Sequence, residues 1–376
     1  MSTTGIMTII LIGEMLITAV TFTIFQILSI VSPNHAYRGS FEVYWNIPTF
    51  MCHRYNIPFE NATRQFGIIQ NLKDQFRGDQ LTILYDPGKF PAILEFSSTK
   101  KYFLRNHGVP QEGNLTDHLQ VFEQHINELI PDPNYAGIAV IDFESWRPVF
   151  RQNFGTLKPY KDLSLYIERK KHPFWTQRQQ EKEAITRFEI AGRKFMEESL
   201  WLAQKLRPEA KWGYYAFPYC FNNNNNNYED CPINVKKENN GIQWLFDSSD
   251  ILFPSVYMTE QIPPEKRVQM VRGRVAEAIR VSNQVPEQPK PRVFVYHRYV
   301  YTDTLNFMTE TDTYETLHAI KSSGANGVIL WGSSNDLKSR QKCIEFYDYL
   351  LTTLGPVIHS LQPIYSVKGA KLNPDD

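Results

Sequence analysis

Short apolar runs alternate with longer amphipathic stretches along most of this chain. Seven runs read as strands: Phe41–Trp45, Leu81–Tyr85, Gly137–Asp142, Trp212–Phe217, Ile251–Tyr257, Arg292–Tyr296 and Gly327–Trp331. Each is short and rich in Val, Ile, Leu or aromatic residues. Helical patterns fill the gaps. Asn114 to Ile130 starts at an Asn or Thr cap. Thr176 to Leu206 sets Ile185, Phe188, Phe195 and Leu202 on one face. Pro264 to Val285, Thr311 to Ser323 and Asp336 to Leu354 follow. Alternating strands and helices predict a parallel sheet with crossover helices. Seven such units over this length suit a closed, TIM-like (β/α) barrel in one domain. The alternative is an open doubly wound sheet.

The ends of the chain break this pattern. Met7 to Ile30 is apolar except for Glu14, with no Lys or Arg before it. Residues 1–32 therefore read as a cleaved secretion signal or a signal anchor, with Met15 as an alternative start. The mature chain is expected to begin between Ser32 and Phe41. The barrel is expected over 41–356, with a C-terminal tail over 357–376 that is polar from Lys368. The asparagine-rich segment Phe221–Asn227 reads as a surface loop.

The chain has 376 residues, 42% of them hydrophobic and 14% aromatic, enough for a sizeable core. Its formal net charge is zero, which argues against a whole-molecule nucleic-acid binder. It carries no Walker loop, HExxH, paired CxxC or Rossmann glycine fingerprint, so no cofactor or metal is expected. The four cysteines are Cys52, Cys220, Cys231 and Cys343. In a secreted chain they suggest two disulfides, with three pairings open. Joining Cys220 to Cys231 closes a local loop and is the simplest choice. Two sequons, at Asn61 and Asn114, mark candidate glycosylation sites.

The chemistry concentrates in Asp142-Phe143-Glu144-Ser145, at the end of the apolar run from Gly137. Residues i and i+2 of an extended chain point to the same side, so both carboxyl groups face one cavity. Like charges held that close raise a pKa and let one group keep its proton near neutrality. A protonated acid beside a second carboxyl group suits glycoside hydrolysis. The plainer reading is a solvated acid pair at a strand end. In a barrel the active site lies at the carboxyl ends of the strands. Tyr214 and Tyr215, Tyr257 and Trp331 also stand at such ends, and aromatic faces stack on pyranose rings.

Several stretches resemble the hyaluronidases, above all those of insect venoms. They are Phe41 to Cys52, Leu84-Tyr85-Asp86-Pro87-Gly88, Gly113-Asn114-Leu115-Thr116, Val140 to Pro148, Trp212 to Cys220, Pro254-Ser255-Val256-Tyr257 and Gly324 to Ser334. The resemblance runs in order from about Phe41 to about Pro356. It implies a distorted (β/α) barrel and hydrolysis of β-1,4 bonds in hyaluronan, with chondroitin as a second candidate substrate. It implies Glu144 as proton donor, and Asp142 and Tyr257 as holders of the substrate's acetamido group. Tyr215 and Trp331 would line the subsite beside the scissile bond. It also implies the bridges Cys52–Cys343 and Cys220–Cys231.

On a polyanionic substrate, Arg147 and Arg274 become candidate carboxylate contacts. An ion pair with Asp142 or Glu144 is the alternative for Arg147, and a structural role for Arg274. Asp86, Ser333, Ser334 and Asp336 join the candidate substrate contacts, with loop capping as the alternative for the last three. A secreted monomer with no stable membrane association after signal removal is expected. The competing reading is a glycan-binding or venom protein that kept the fold and lost turnover.

Overall fold

The computed structural model describes residues 41–95, 102–223 and 227–362. The apolar leader, the middle of the asparagine run and the end of the tail lie outside the described residues. All seven expected strands form: β1 (Glu42–Asn46), β2 (Leu81–Tyr85), β5 (Ile138–Asp142), β6 (Lys211–Tyr214), β7 (Ile251–Leu252), β8 (Arg292–Arg298) and β9 (Gly327–Trp331). They pair in parallel as β1-β9-β8-β7 and β2-β5-β6. An antiparallel hairpin, β3 (Ala92–Glu95) and β4 (Tyr102–Arg105), was not expected from the pattern.

Two irregular joints link the sheets into a distorted barrel. At one, Tyr215 bridges Phe253, and the Ala216 amide donates to the Phe253 carbonyl at 2.9 Å. At the other, Ile69 exchanges backbone hydrogen bonds with β1 in place of a full strand. The buried Asn71 side chain completes that joint. Its amide nitrogen donates to the Leu81 carbonyl and its oxygen accepts from the Leu81 amide. Backbone groups at a buried edge need partners, and one side chain supplies both here.

Strand parity divides the core in two. Leu81, Ile83, Ile138, Val140, Ile251, Phe253, Phe294, Tyr296 and Ile329 fill the barrel interior. The alternate residues, such as Leu84, Ala139, Ile141, Val295, Val328 and Leu330, pack outward against the helices. The register sets the strand ends level: Tyr85 opposite Asp142, and Asn46 and Arg298 both opposite Trp331.

The helix layer comprises α1 (Glu60–Gln65), α2 (Leu115–Leu129), α3 (Lys158–Lys171), α4 (Gln177–Leu206), α5 (Ile233–Gly241), α6 (Gln243–Asp247), α7 (Pro264–Gln284), α8 (Glu310–Ser322), α9 (Arg340–Tyr349) and α10 (Gly355–Leu361). Asn114, Thr176 and Thr309 cap α2, α4 and α8 with their side chains. The single helix expected over Asp336–Leu354 is instead a 3₁₀ turn, then α9 capped by Ser339, then a π turn. The segment expected as tail from residue 357 begins inside the fold, because α10 buries Val357, Ile358 and Leu361. Among the described residues no helix is long and apolar enough to cross a membrane.

The disulfides are Cys52–Cys343 and Cys220–Cys231. The first spans 291 residues and joins the loop after β1 to α9, whereas the second spans 11. Long loops lose the most chain entropy when closed. The double change Cys52→Ala/Cys343→Ala should therefore lower unfolding free energy by about 2–5 kcal/mol, and by more than Cys220→Ala/Cys231→Ala. Urea unfolding of both variants checks the order.

Candidate active site

Ile138, Val140 and Asp142 share the inward parity of β5, and the chain stays extended enough for Glu144 to follow them. The outward residues Ala139, Ile141 and Phe143 are buried under helices, which fixes the register. Asp142 and Glu144 thus line one cavity of about 120 Å3, with Ile83, Tyr215, Tyr257, Tyr296 and Trp331. A second cavity of about 210 Å3 shares Glu144 and Tyr215 and continues past Ser255, Tyr219, Phe221 and Arg274. Glu144 stands between the two.

Burial chiefly, then the Glu144 charge and the Asp86 charge, push the Asp142 carboxyl up to about 8. Burial also raises Glu144, although it stands at the rim, while the Arg147 charge pulls it back. The expectation of a retained proton near neutrality is met most strongly at Asp142. Burial raises the phenols of Tyr215, Tyr257 and Tyr296, so all three stay neutral hydrogen-bonding groups. The Tyr296 hydroxyl is buried with no hydrogen-bond partner among the described residues.

The aromatic wall is held from several sides. The Trp331 indole N–H donates to the Tyr85 hydroxyl at 3.0 Å. Its ring stacks on Tyr257 at 5.7 Å, and Arg298 lies over it at 5.4 Å. Tyr215 meets Tyr296 edge to face at 4.9 Å, and its hydroxyl reaches Ser255 at 3.3 Å.

The remaining expected residues divide. Of the tyrosine that ends β6 and the one just after it, parity turns Tyr214 outward, where its hydroxyl donates to the Met196 carbonyl. Arg147 forms no ion pair with Asp142 or Glu144. It donates to the Gln152 carbonyl and lies over Tyr219, Phe221 and Phe154. Arg274 lines the second cavity, anchored by Asn222 and the Ser255 carbonyl. Among the described residues no carboxylate pairs with it, and burial pulls its pKa down to about 10.

Asp86, Ser333, Ser334 and Asp336 line neither cavity. Asp86 takes two hydrogen bonds from Arg105. Ser333 and Asp336 cap the turn after β9, and Asp336 pairs with Arg298 at 2.8 Å. Asn61 and Asn114 are exposed, Asn61 on α1 and Asn114 as the cap of α2.

Sequence reasoning passed over Tyr85, Tyr296, Tyr219 and Ser255. Tyr85 and Tyr296 were legible, since each shares the inward parity of its strand. Ser255 was legible too, since it continues the inward parity of Ile251 and Phe253; Tyr219 sits beyond a regular strand, where parity gives no guide.

A family model described as hyaluronidase matches residues 31–365. The chain belongs to the hyaluronidase family. It is accordingly a glycoside hydrolase. Hyaluronidase B of Vespa velutina is 50% identical over 319 residues, which cover 84% of this chain and 95% of that protein. Hyaluronidase Tab y 2.0101 of Tabanus yao is 48% identical over 322 residues, covering 86% and 92%. The crystal structure of bee venom hyaluronidase in complex with a hyaluronic acid tetramer superposes with a TM-score of 0.83 at 47% identity. That match covers 85% of this chain and 99% of the other.

The raised Asp142 carboxyl ties stability to pH. Below about pH 4 it is protonated in both folded and unfolded chains. As pH rises to about 8 the unfolded chain ionises it and the folded chain resists, so folded stability falls across that window. Asp142→Asn should remove a loss on the order of a few kcal/mol. Melting temperatures of the two proteins should diverge from pH 4 to pH 8, with the variant higher at the upper end.

Proposed function

We propose that this chain is a secreted endo-β-N-acetylhexosaminidase that hydrolyses β-1,4 linkages of hyaluronan with retention of configuration. The observation that carries the reading is the placement of Asp142 and Glu144 in one cavity walled by Tyr215, Tyr257, Tyr296 and Trp331. Two disulfides and family membership support an oxidising, extracellular setting.

The substrate's own acetamido oxygen attacks the anomeric carbon, so no enzymic nucleophile is needed; substrate-assisted hydrolysis is a known exception to the two-carboxylate scheme. Glu144 donates its proton to the leaving oxygen, then takes one from the incoming water. Asp142 and Tyr257 hold the acetamido group, and Asp142 supports the positive charge growing on its nitrogen. In the free cleft Asp142 holds a proton most strongly; as the bond breaks the proton must stand on Glu144 while Asp142 meets the growing positive charge.

Tyr215 and Trp331 supply ring faces beside the scissile bond. The unpartnered Tyr296 hydroxyl is available to a sugar oxygen. Arg274, half-buried and without a carboxylate partner among the described residues, suits the uronate carboxylate in the second cavity.

Hyaluronan depolymerisation by the parent beside Glu144→Gln and Arg274→Met tests the reading. Glu144→Gln should lose at least the ~10²–10⁴-fold that general acid–base catalysis contributes. Arg274→Met should act mainly by raising KM. A folded parent that binds hyaluronan and cleaves none would sink the enzymatic reading and favour a glycan-binding protein.

A further inference from the structure

Helices α3 and α4 form an antiparallel hairpin that the reaction does not use. Arg187 of α4 pairs with Glu168 of α3, and the Gln180 side chain donates to the His172 carbonyl beside the turn. A capping box between Thr176 and Gln179 fixes the start of α4. The turn is therefore built rather than loose. Its apex is nevertheless apolar and bare: Phe174 is 99% exposed and Trp175 40%. His172 stacks on Trp175 at 3.8 Å and 9°.

The hairpin stands on the same side of the barrel as the cleft. The end of α4 leads into the start of β6, so its beginning lies toward the carboxyl ends of the strands. Phe188 of α4 packs against Trp146, two residues past Glu144. Gln177 precedes Phe188 by three turns, which carries the apex roughly 16 Å beyond that level at 1.5 Å per residue.

Charge marks the apex in a protein of zero formal net charge. From Arg169 to Arg178 the chain holds Arg169, Lys170, Lys171 and Arg178 and no carboxylate. Lys171 pairs with Glu112, while Arg169, Lys170 and Arg178 are exposed. Cations also meet exposed aromatic rings at two points. Arg147 lies 5.3 Å over Phe154, and Lys170 lies 5.6 Å over Tyr166. Phe154 and Tyr166 are exposed like the apex.

From these pairs and the bare basic apex we infer that the Tyr166–Lys170 surface of α3 and the 172–175 apex form a second, non-catalytic contact for a linear polyanionic polysaccharide, the same polymer whose other stretch occupies the cleft. The inference rests on the hyaluronan reading above. Ring faces meet the apolar faces of sugars, and interleaved cations meet carboxylates. A lipid surface would be met by the convex apex alone and would leave the exposed pairs at Tyr166 and Phe154 unexplained. A second contact on one chain raises apparent affinity through effective concentration, without touching the bond that breaks.

The test uses the full chain with Lys170→Glu/Arg178→Glu and, separately, Phe174→Ser/Trp175→Ser. All four positions are exposed, and thermal melts confirm that each variant folds as the parent does. With high-mass hyaluronan at low salt, KM should rise about tenfold at unchanged kcat. Kinetics on a hexasaccharide should stay at parent values, and high salt should narrow the gap for the charge variant. Retention on immobilised high-mass hyaluronan, which needs no turnover, should fall in both variants.

Unchanged polymer KM and retention, or equal effects on hexasaccharide and polymer, would overturn the inference. Parent-only sedimentation with phosphatidylserine vesicles, at unchanged polymer kinetics, would overturn it in favour of a lipid partner. A parent that is retained and cleaves nothing sinks the proposed reaction instead, and retention of the variants still decides this contact.

Discussion

Two carboxyl groups at the mouth of one buried strand set the terms for this barrel. Water would ionise both near pH 4. Here Asp142 and Glu144 face a small cavity lined mostly by rings, and burial makes charge expensive there. The cavity can hold one proton between two acids only because β5 cannot slip. A one-residue shift would turn Ala139, Ile141 and Phe143 inward and both acids into the helix layer. The apolar packing on both faces of β5 is thus the condition for the chemistry at its end.

The aromatic wall depends on the same frame. Trp331 is held by a hydrogen bond to Tyr85, by stacking on Tyr257 and by Arg298 above it. Arg298 is held in turn by Asp336, which also caps the turn after β9. Tyr85 and Trp331 end strands from different sheets of the barrel, so their hydrogen bond crosses the mouth. Ring surfaces placed this way need little rearrangement to receive a sugar.

Much of this was legible in the sequence because it follows from period-2 parity. The seven strands, the shared cavity of Asp142 and Glu144, and the inward Tyr257 and Trp331 all follow from it. Where parity was ignored, the reading erred: Tyr214 faces out, and Tyr85 and Tyr296 were passed over. Single polar residues after strand ends were harder. Asp336 read equally well as a substrate contact or a loop cap, Asp86 was read only as a substrate contact, and three-dimensional contacts give the two acids Arg298 and Arg105 as partners. Helix α3 was missed although Tyr160, Leu163, Ser164 and Ile167 keep helical spacing, because its dense charges hid a narrow apolar stripe. Asn71 closing the barrel left no sequence signal at all.

The most direct test of the account is a carbon-13 NMR titration of the side-chain carboxyl groups, with Asp142→Asn and Glu144→Gln used for assignment. The account predicts that the Asp142 resonance keeps its protonated shift through neutrality and titrates near 8, and that this midpoint falls when Glu144 is neutralised. Complete ionisation of Asp142 by about pH 5, with no response to Glu144→Gln, would contradict the shared-proton site.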